Sequence, residues 1–299
     1  MRARRMALIM AAAAGAVLGG VAVWRKTRAS RPEVRTGTFS NGIEYDAVGS
    51  GPRTMLFLPG GPGIIRMLWA RVSTRLLRPL AAAGFTVWRL KRRRDMPPGH
   101  TIADMADDVA HVIEEDFGGR VDLVVGVSYG GLIALYLAAR HPASVGHVVL
   151  DASAATATDE GLEADRKYGE ALGHGRFAEA GEALLEEMAP GDRLRPMRRL
   201  LGPLLGRMLA SSGNNLPDVL VETQAEMGVD ARPVLPQITA PVLLIAGDQD
   251  MFFTREIVEE TARLIPDCTL VWYEGLDHGK TALNKRVPGD VLAFVNRDR

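Results

Sequence analysis

The sequence has almost no cysteine: Cys268 stands alone among 299 residues. One thiol forms no intrachain disulfide and builds no thiolate metal site, so neither cross-links nor a structural zinc hold this fold together. The chain also lacks a net charge, with 36 basic and 36 acidic side chains. Without a basic excess it carries no electrostatic footprint for a nucleic-acid backbone, and no nucleic-acid partner is expected. Internal repeats and low-complexity tracts are missing beyond the first 35 residues. At 47% hydrophobic and 24% charged the body is too apolar for a disordered chain and requires a sizeable core.

The zero is a cancellation. Eight cations and one anion fall in residues 1–35, a balance of +7 that the rest of the chain offsets with −7. Between the basic clusters, residues 6–24 read MALIMAAAAGAVLGGVAVW, with no charged or strongly polar side chain. At about 1.5 Å per residue, a helix of this length spans roughly a bilayer core. The segment reads as an uncleaved anchor, making the protein membrane-attached through one N-terminal helix. The alternative is a cleaved signal and a secreted protein, with Gly20-Val21-Ala22 as a passable processing site and Arg4-Arg5 as a weak export signal. Both flanks are basic, so charge does not set an orientation.

From residue 36 onward the pattern changes. GTFSNGIEYDAVGSG reads as a hairpin, with Asn41 and Gly42 as the left-handed turn residues. Short apolar runs then recur at residues 54–59, 85–90, 121–127, 145–151, 241–247 and 268–274, separated by helical stretches. Runs apolar on both faces fit strands covered by helices on each side, which makes this an α/β protein with a mostly parallel sheet. No strand-like run occurs between Asp151 and Pro241, where charged amphipathic stretches read as three to five helices. The expected organisation is therefore a leader and linker at 1–35, a core made of 36–154 and 236–299, and an inserted helical cap at 155–235. Simple helical covering of the sheet is the alternative for the last of these.

The sequence GVSYGG, residues 126–131, ends one of the buried runs and opens a helix. By itself Gly-x-Ser-x-Gly is a weak signal. At a strand-to-helix turn it is a strong one, because the backbone folds back sharply and small residues must flank the serine. Ser128 is then held at the carboxyl edge of the sheet. A serine hydroxyl needs a base to take its proton, and the base needs a third group to fix its tautomer. Of six histidines, His100, His111, His141, His147 and His174 sit in helices, loops or linkers with no chemistry around them. His278, in GLDHGK directly after the last apolar run, can be presented to Ser128 from a loop at the same edge. For the acid, the run ending at Gly247 is followed by Asp248, Gln249 and Asp250. Asp250 is the choice, with Asp248 and the strand-end Asp151 as alternatives.

The order Ser128, Asp250, His278, together with LPGGPG (58–63), GVSYGG (126–131), IAGDQD (245–250) and GLDHG (275–279), resembles the α/β-hydrolase superfamily across most of residues 36–299. The resemblance implies that the backbone amides of Gly61 and Tyr129 form an oxyanion hole. Many relatives begin that loop with His-Gly. Here Pro59 stands in place of the histidine, with no amide proton and no imidazole to brace the loop. A serine at the elbow argues against epoxide opening and dehalogenation, which relatives perform with an aspartate.

The reading that follows is acyl transfer to Ser128 from a small-molecule carboxylic ester, a reaction that requires neither a metal nor an organic cofactor. The Gly-Gly-Pro-Gly loop and the helical insertion are also similar to proline iminopeptidases. That resemblance implies cap glutamates holding a free amine, with Glu186, Glu187, Glu222 and Glu226 as candidates, although charges on amphipathic helices ordinarily form a solvated face. A membrane-tethered binding protein without turnover is a third possibility. Met251, Phe252 and Phe253 either line an apolar pocket or pack under the cap. The run Lys91 to Arg94 reads as a solvated loop, with attraction of an anionic substrate or lipid headgroup as the alternative.

Overall fold

The computed structural model describes residues 34–63, 77–188, 194–282 and 284–297. Within them lies an eight-stranded sheet of order β1-β2-β4-β3-β5-β6-β7-β8. The strands are β1 (Arg35–Thr38), β2 (Glu44–Val48), β3 (Arg53–Leu58), β4 (Phe85–Leu90), β5 (Leu123–Val127), β6 (Val148–Asp151), β7 (Val242–Gly247) and β8 (Cys268–Tyr273). β2 runs antiparallel to both β1 and β4, and the pairs from β4 through β8 are parallel. Every residue of β5, β6 and β7 is buried, as apolar runs without alternation require. Each fully buried Val, Leu or Ile contributes about 1.5–3 kcal/mol, which makes these three strands the energetic centre of the sheet.

Helices cover the sheet. Helix α1 (Ile102–Phe117) starts at a reciprocal cap, in which Asp104 N–H donates to Thr101 Oγ1 and the Thr101 N–H donates to the Asp104 carboxylate, and it ends at left-handed Gly118. Helix α2 (Tyr129–Arg140) is apolar nearly all round and sunk in the core. Between β6 and β7 lie α3 (Asp159–Gly173), α4 (Phe177–Met188), α5 (Arg195–Ala210) and α6 (Leu216–Met227). These four share a small apolar core of their own, built on Tyr168, Leu172, Ala180, Leu209 and Val219. Helices α7 (Arg255–Leu264), α8 (His278–Ala282) and α9 (Val287–Val295) complete the described chain.

Two expectations are corrected. The β1–β2 connection is a hairpin, but of its two expected left-handed residues only Gly42 has positive φ. Asn41 instead spends its side chain on hydrogen bonds, donating to the Asp108 carbonyl and accepting from Ile43 N–H. The second correction concerns membrane attachment and the location it implied. Among the described residues no helix is long and apolar enough to cross a membrane, so the assignment of a membrane-anchored protein is withdrawn. The apolar stretch 6–24 that prompted it lies outside the described residues.

Candidate functional site

Parallel strands bring their carboxyl ends to one edge, and the register fixes which residues meet there. Gly126 of β5 lies opposite Leu58 of β3 and Leu150 of β6, while Asp151 lies opposite Ile245 of β7 and Gly247 lies opposite Tyr273 of β8. The residues just past these positions therefore converge: the 59–63 loop, Ser128, Asp250 and His278.

Ser128 occupies the tight turn between β5 and α2 with φ 50° and ψ −122°, left-handed backbone that a non-glycine residue holds only when its surroundings enforce it. The flanking glycines show how. A Cβ on Gly130 would fall 2.1 Å from the Leu58 carbonyl oxygen, and one on Gly126 would fall 2.4 Å from the Gly130 carbonyl oxygen. Only hydrogen fits at either place.

Three predicted side chains form one hydrogen-bonded chain. His278 Nε2 lies 3.0 Å from Ser128 Oγ, and His278 Nδ1 lies 2.8 Å from Asp250 Oδ2. The other Asp250 oxygen accepts from the backbone N–H groups of Phe252 (2.8 Å) and Phe253 (3.2 Å), so the carboxylate is fixed from both sides and almost fully buried. Burial works against a charged imidazole, but the hydrogen bond and charge of Asp250, reinforced by Asp165 and Asp151, outweigh it and hold His278 above its ordinary pKa. The alternative acids do not reach the imidazole. Asp248 accepts from Gly275 N–H at the turn ahead of His278. Asp151 is buried, its Oδ1 has no hydrogen-bond partner among the described residues, and burial lifts its pKa to about 8.

The remaining expectations sort by geometry. Gly61 packs against the nucleophile turn, since a Cβ there would sit 3.5 Å from Tyr129 Cγ. Phe252 and Phe253 are buried, with ring centroids 4.7 and 5.7 Å from that of His278, and Phe252 also lies under α3, where a Cβ on Gly161 would meet its ring at 2.7 Å. Both rings flank the imidazole, and of the two alternatives expected for this segment, lining an apolar pocket or packing under the helices between β6 and β7, Phe252 shows the second. Of the four candidate glutamates, Glu186 is exposed and pairs with Arg198, whereas Glu222 and Glu226 are buried. Glu187 Oε1 and Glu226 Oε2 are buried without a hydrogen-bond partner among the described residues.

Sequence reasoning missed Asp165. It is buried on α3 and shares a hydrogen bond with Glu226; burial raises its pKa to about 7 against the lowering influence of His278 and that bond. Burial, with the neighbouring carboxyl of Asp165 next in size, also pushes Glu187 and Glu226 well above the carboxylate range. The signal was available: Gly161, Asp165, Tyr168, Gly169 and Leu172 form one buried stripe of α3 at helical spacing, with an acid in its middle. The basic run keeps the solvated character expected of it at Arg93 and Arg94, which are exposed, and departs from it at Arg92. Lys91 and Arg94 pair with Glu44, and Arg93 pairs with Asp108, while Arg92 turns inward. Beside it lies a cavity of about 430 Å³ walled by Pro59, Gly63, Arg92, Asn214, Val219 and Glu222.

A family model described as the alpha/beta hydrolase family matches residues 55–293. The chain is 32% identical over 184 residues to the pimeloyl-[acyl-carrier protein] methyl ester esterase of Neisseria meningitidis serogroup B, an alignment covering 59% of this chain and 67% of that protein. It is 29% identical over 245 residues to the 2-(acetamidomethylene)succinate hydrolase of Mesorhizobium japonicum, covering 77% of this chain and 82% of that one. Among solved structures, the enol-lactonase from Burkholderia xenovorans LB400 aligns with a TM-score of 0.65 at 20% identity, over 88% of this chain and 98% of the other, a likeness of fold.

Proposed function

The chain belongs to the α/β hydrolase family and is a hydrolytic enzyme, and from that premise we propose that it cleaves a small carboxylic ester through a covalent acyl-enzyme on Ser128. The observation that carries the reading is the unbroken Asp250–His278–Ser128 hydrogen-bonded chain at the sheet edge. In this mechanism His278 takes the Ser128 proton as the hydroxyl attacks the ester carbonyl, and then delivers it to the departing alkoxide. Water, deprotonated by the same imidazole, releases the acid. Asp250 holds the Nδ1–H tautomer and balances the imidazolium. The backbone amides of Gly61 and Tyr129 receive the developing oxyanion, each donor being worth about 3–4 kcal/mol in the transition state. Helices α3–α6, within residues 155–235, serve as the cap over a core formed by 36–154 and 236–299. The likeness to a methyl ester esterase supports the ester.

A second reading has one observation in its favour. Asp165, Glu187 and Glu226 form a group of desolvated, mutually interacting carboxyls, of which Asp165 also acts on the imidazole, a setting that a substrate's ammonium would neutralise. It makes the enzyme an aminopeptidase acting on a free N-terminal amine. Short p-nitrophenyl esters and a prolyl-dye conjugate, offered to wild type and Ser128→Ala, separate the two. The ester reading predicts ester turnover by wild type alone and no dye release. Dye release without ester turnover reverses the order.

A further inference from the structure

We propose that Arg92 and Glu222 are positioning residues that clamp the oxyanion loop, doing for this chain what a histidine at position 59 does in many relatives. The inference rests on the acyl-enzyme reading, in which Gly61 and Tyr129 supply the oxyanion donors.

The loop leaves β3 at Leu58 and runs to Gly63, and Pro59 offers it neither an N–H nor an imidazole. Its two ends are held from outside. Arg92 Nη2 donates to the Pro59 carbonyl at 2.7 Å, and Gly63 N–H donates to Glu222 Oε2 at 3.1 Å. The same carboxylate oxygen lies 3.7 Å from Arg92 Nε, so one ion pair spans the loop. The pair stands directly behind the proposed donor: a Cβ on Gly61 would sit 3.0 Å from Glu222 Oε2 and 3.6 Å from Arg92 Nη2.

The second donor is tied to the same two residues. Tyr129 Oη donates to the Glu222 backbone carbonyl at 3.1 Å, and the Arg92 guanidinium lies 4.9 Å from the Tyr129 ring centroid. Arg92 follows β4 of the core, whereas Glu222 belongs to α6 of the insertion, so the contact joins the two parts where the oxyanion would form. Both side chains are nearly buried, at 10% and 5% exposure. A buried pair is a poor stability device, because desolvation offsets its attraction. Here the buried charges also satisfy two backbone groups of the loop, the Pro59 carbonyl and the Gly63 N–H. The guanidinium's rigid fork suits this arrangement, with Nη2 on the Pro59 carbonyl and Nε facing the carboxylate; an ammonium on a flexible four-carbon stem would hold the two directions less rigidly.

The test compares wild type with Arg92→Lys, Arg92→Met and Glu222→Gln as full chains, with rates normalised to sites titrated by exhaustive fluorophosphonate labelling. Kinetics use a p-nitrophenyl ester, and a trifluoromethyl ketone, whose hemiketal places an oxyanion in the hole, serves as the inhibitor. The clamp predicts that both Arg92 variants lose about 10- to 100-fold in kcat with KM changed less than about 2-fold, the signature of a displaced transition-state donor. Ketone affinity should fall in proportion to kcat/KM. Glu222→Gln, which keeps an acceptor for Gly63 N–H, should lose less than Arg92→Met. If Arg92→Met does not fold, the charge-retaining Arg92→Lys decides. Unchanged kcat in Arg92→Lys, a loss confined to KM, or a kcat loss with undiminished ketone affinity overturns the clamp and leaves the acyl-enzyme reading standing. A wild type that hydrolyses the ester without taking up the fluorophosphonate overturns both.

Discussion

At the scale of single residues, the chemistry depends on a neutral His278 that can accept a proton. Burial disfavours the imidazolium, but the hydrogen bond and charge of Asp250 outweigh it and hold His278 above the ordinary value of 6.5, so the base form appears only at higher pH. The logarithm of kcat/KM for a neutral ester should therefore rise with pH and level off through an inflection above 6.5; an inflection below that value contradicts the electrostatic account. The two acids past β7 should separate sharply. Asp250→Asn loses the tautomer-fixing acceptor and should cut kcat on the order of 10³-fold or more. Asp248→Asn disturbs only a turn and should stay within about 10-fold of wild type. The opposite order, measured on the same ester, refutes the assignment. The convergence of Ser128, Asp250 and His278 was legible in the sequence because each follows an apolar run, and parallel topology brings the ends of those runs to one edge. Arg92 was not, because four consecutive cations give no hint of which one points inward.

At the scale of elements, the strands were legible, most closely at 85–90 and 241–247, which became β4 and β7 with at most one residue of difference, while the runs at 121–127 and 145–151 became β5 and β6 starting two and three residues later. Burial on both faces leaves a simple mark. The insertion was legible as helices but not as a chemical surface. Asp218, Glu222 and Glu226 lie on the buried face of α6, at the very spacing that would otherwise mark a solvated stripe, and a single amphipathic pattern does not say which side turns inward. The nucleophile turn offers a test at this scale. Gly130→Ala drives a methyl group into the Leu58 carbonyl and should destabilise the fold by at least about 2 kcal/mol. Gly289→Ala in α9, where nothing lies within 4 Å of the added carbon, should be neutral or stabilising by about 0.4–1 kcal/mol. Urea melts of both variants check the pair, and equal effects would show that the turn is not the constraint described.

Across the whole molecule, the buried acids tilt stability towards low pH. Burial lifts Asp151 from 3.8 to about 8, with His278 opposing, and Asp165 to about 7, and Glu187 and Glu226 shift in the same direction. Between the unfolded and folded values the native state keeps protons that the unfolded chain has released. Stability is then fully present below about pH 4 and lost as pH rises, by roughly 1 kcal/mol per unit for each such group. Asp151→Asn stays neutral throughout, so its stability relative to wild type should improve steadily between pH 5 and 8 in denaturant melts. A constant difference across that range contradicts the buried neutral carboxyl. None of this was legible in a sequence whose charges sum to zero, because the sum does not say which charges are desolvated.

The most direct test of Ser128 as the nucleophile is mass spectrometry of the enzyme after reaction with a fluorophosphonate. An acyl-enzyme on Ser128 requires one adduct per chain, located on Ser128 and absent from Ser128→Ala. An active wild type that takes up no adduct, or carries it on another residue, contradicts it.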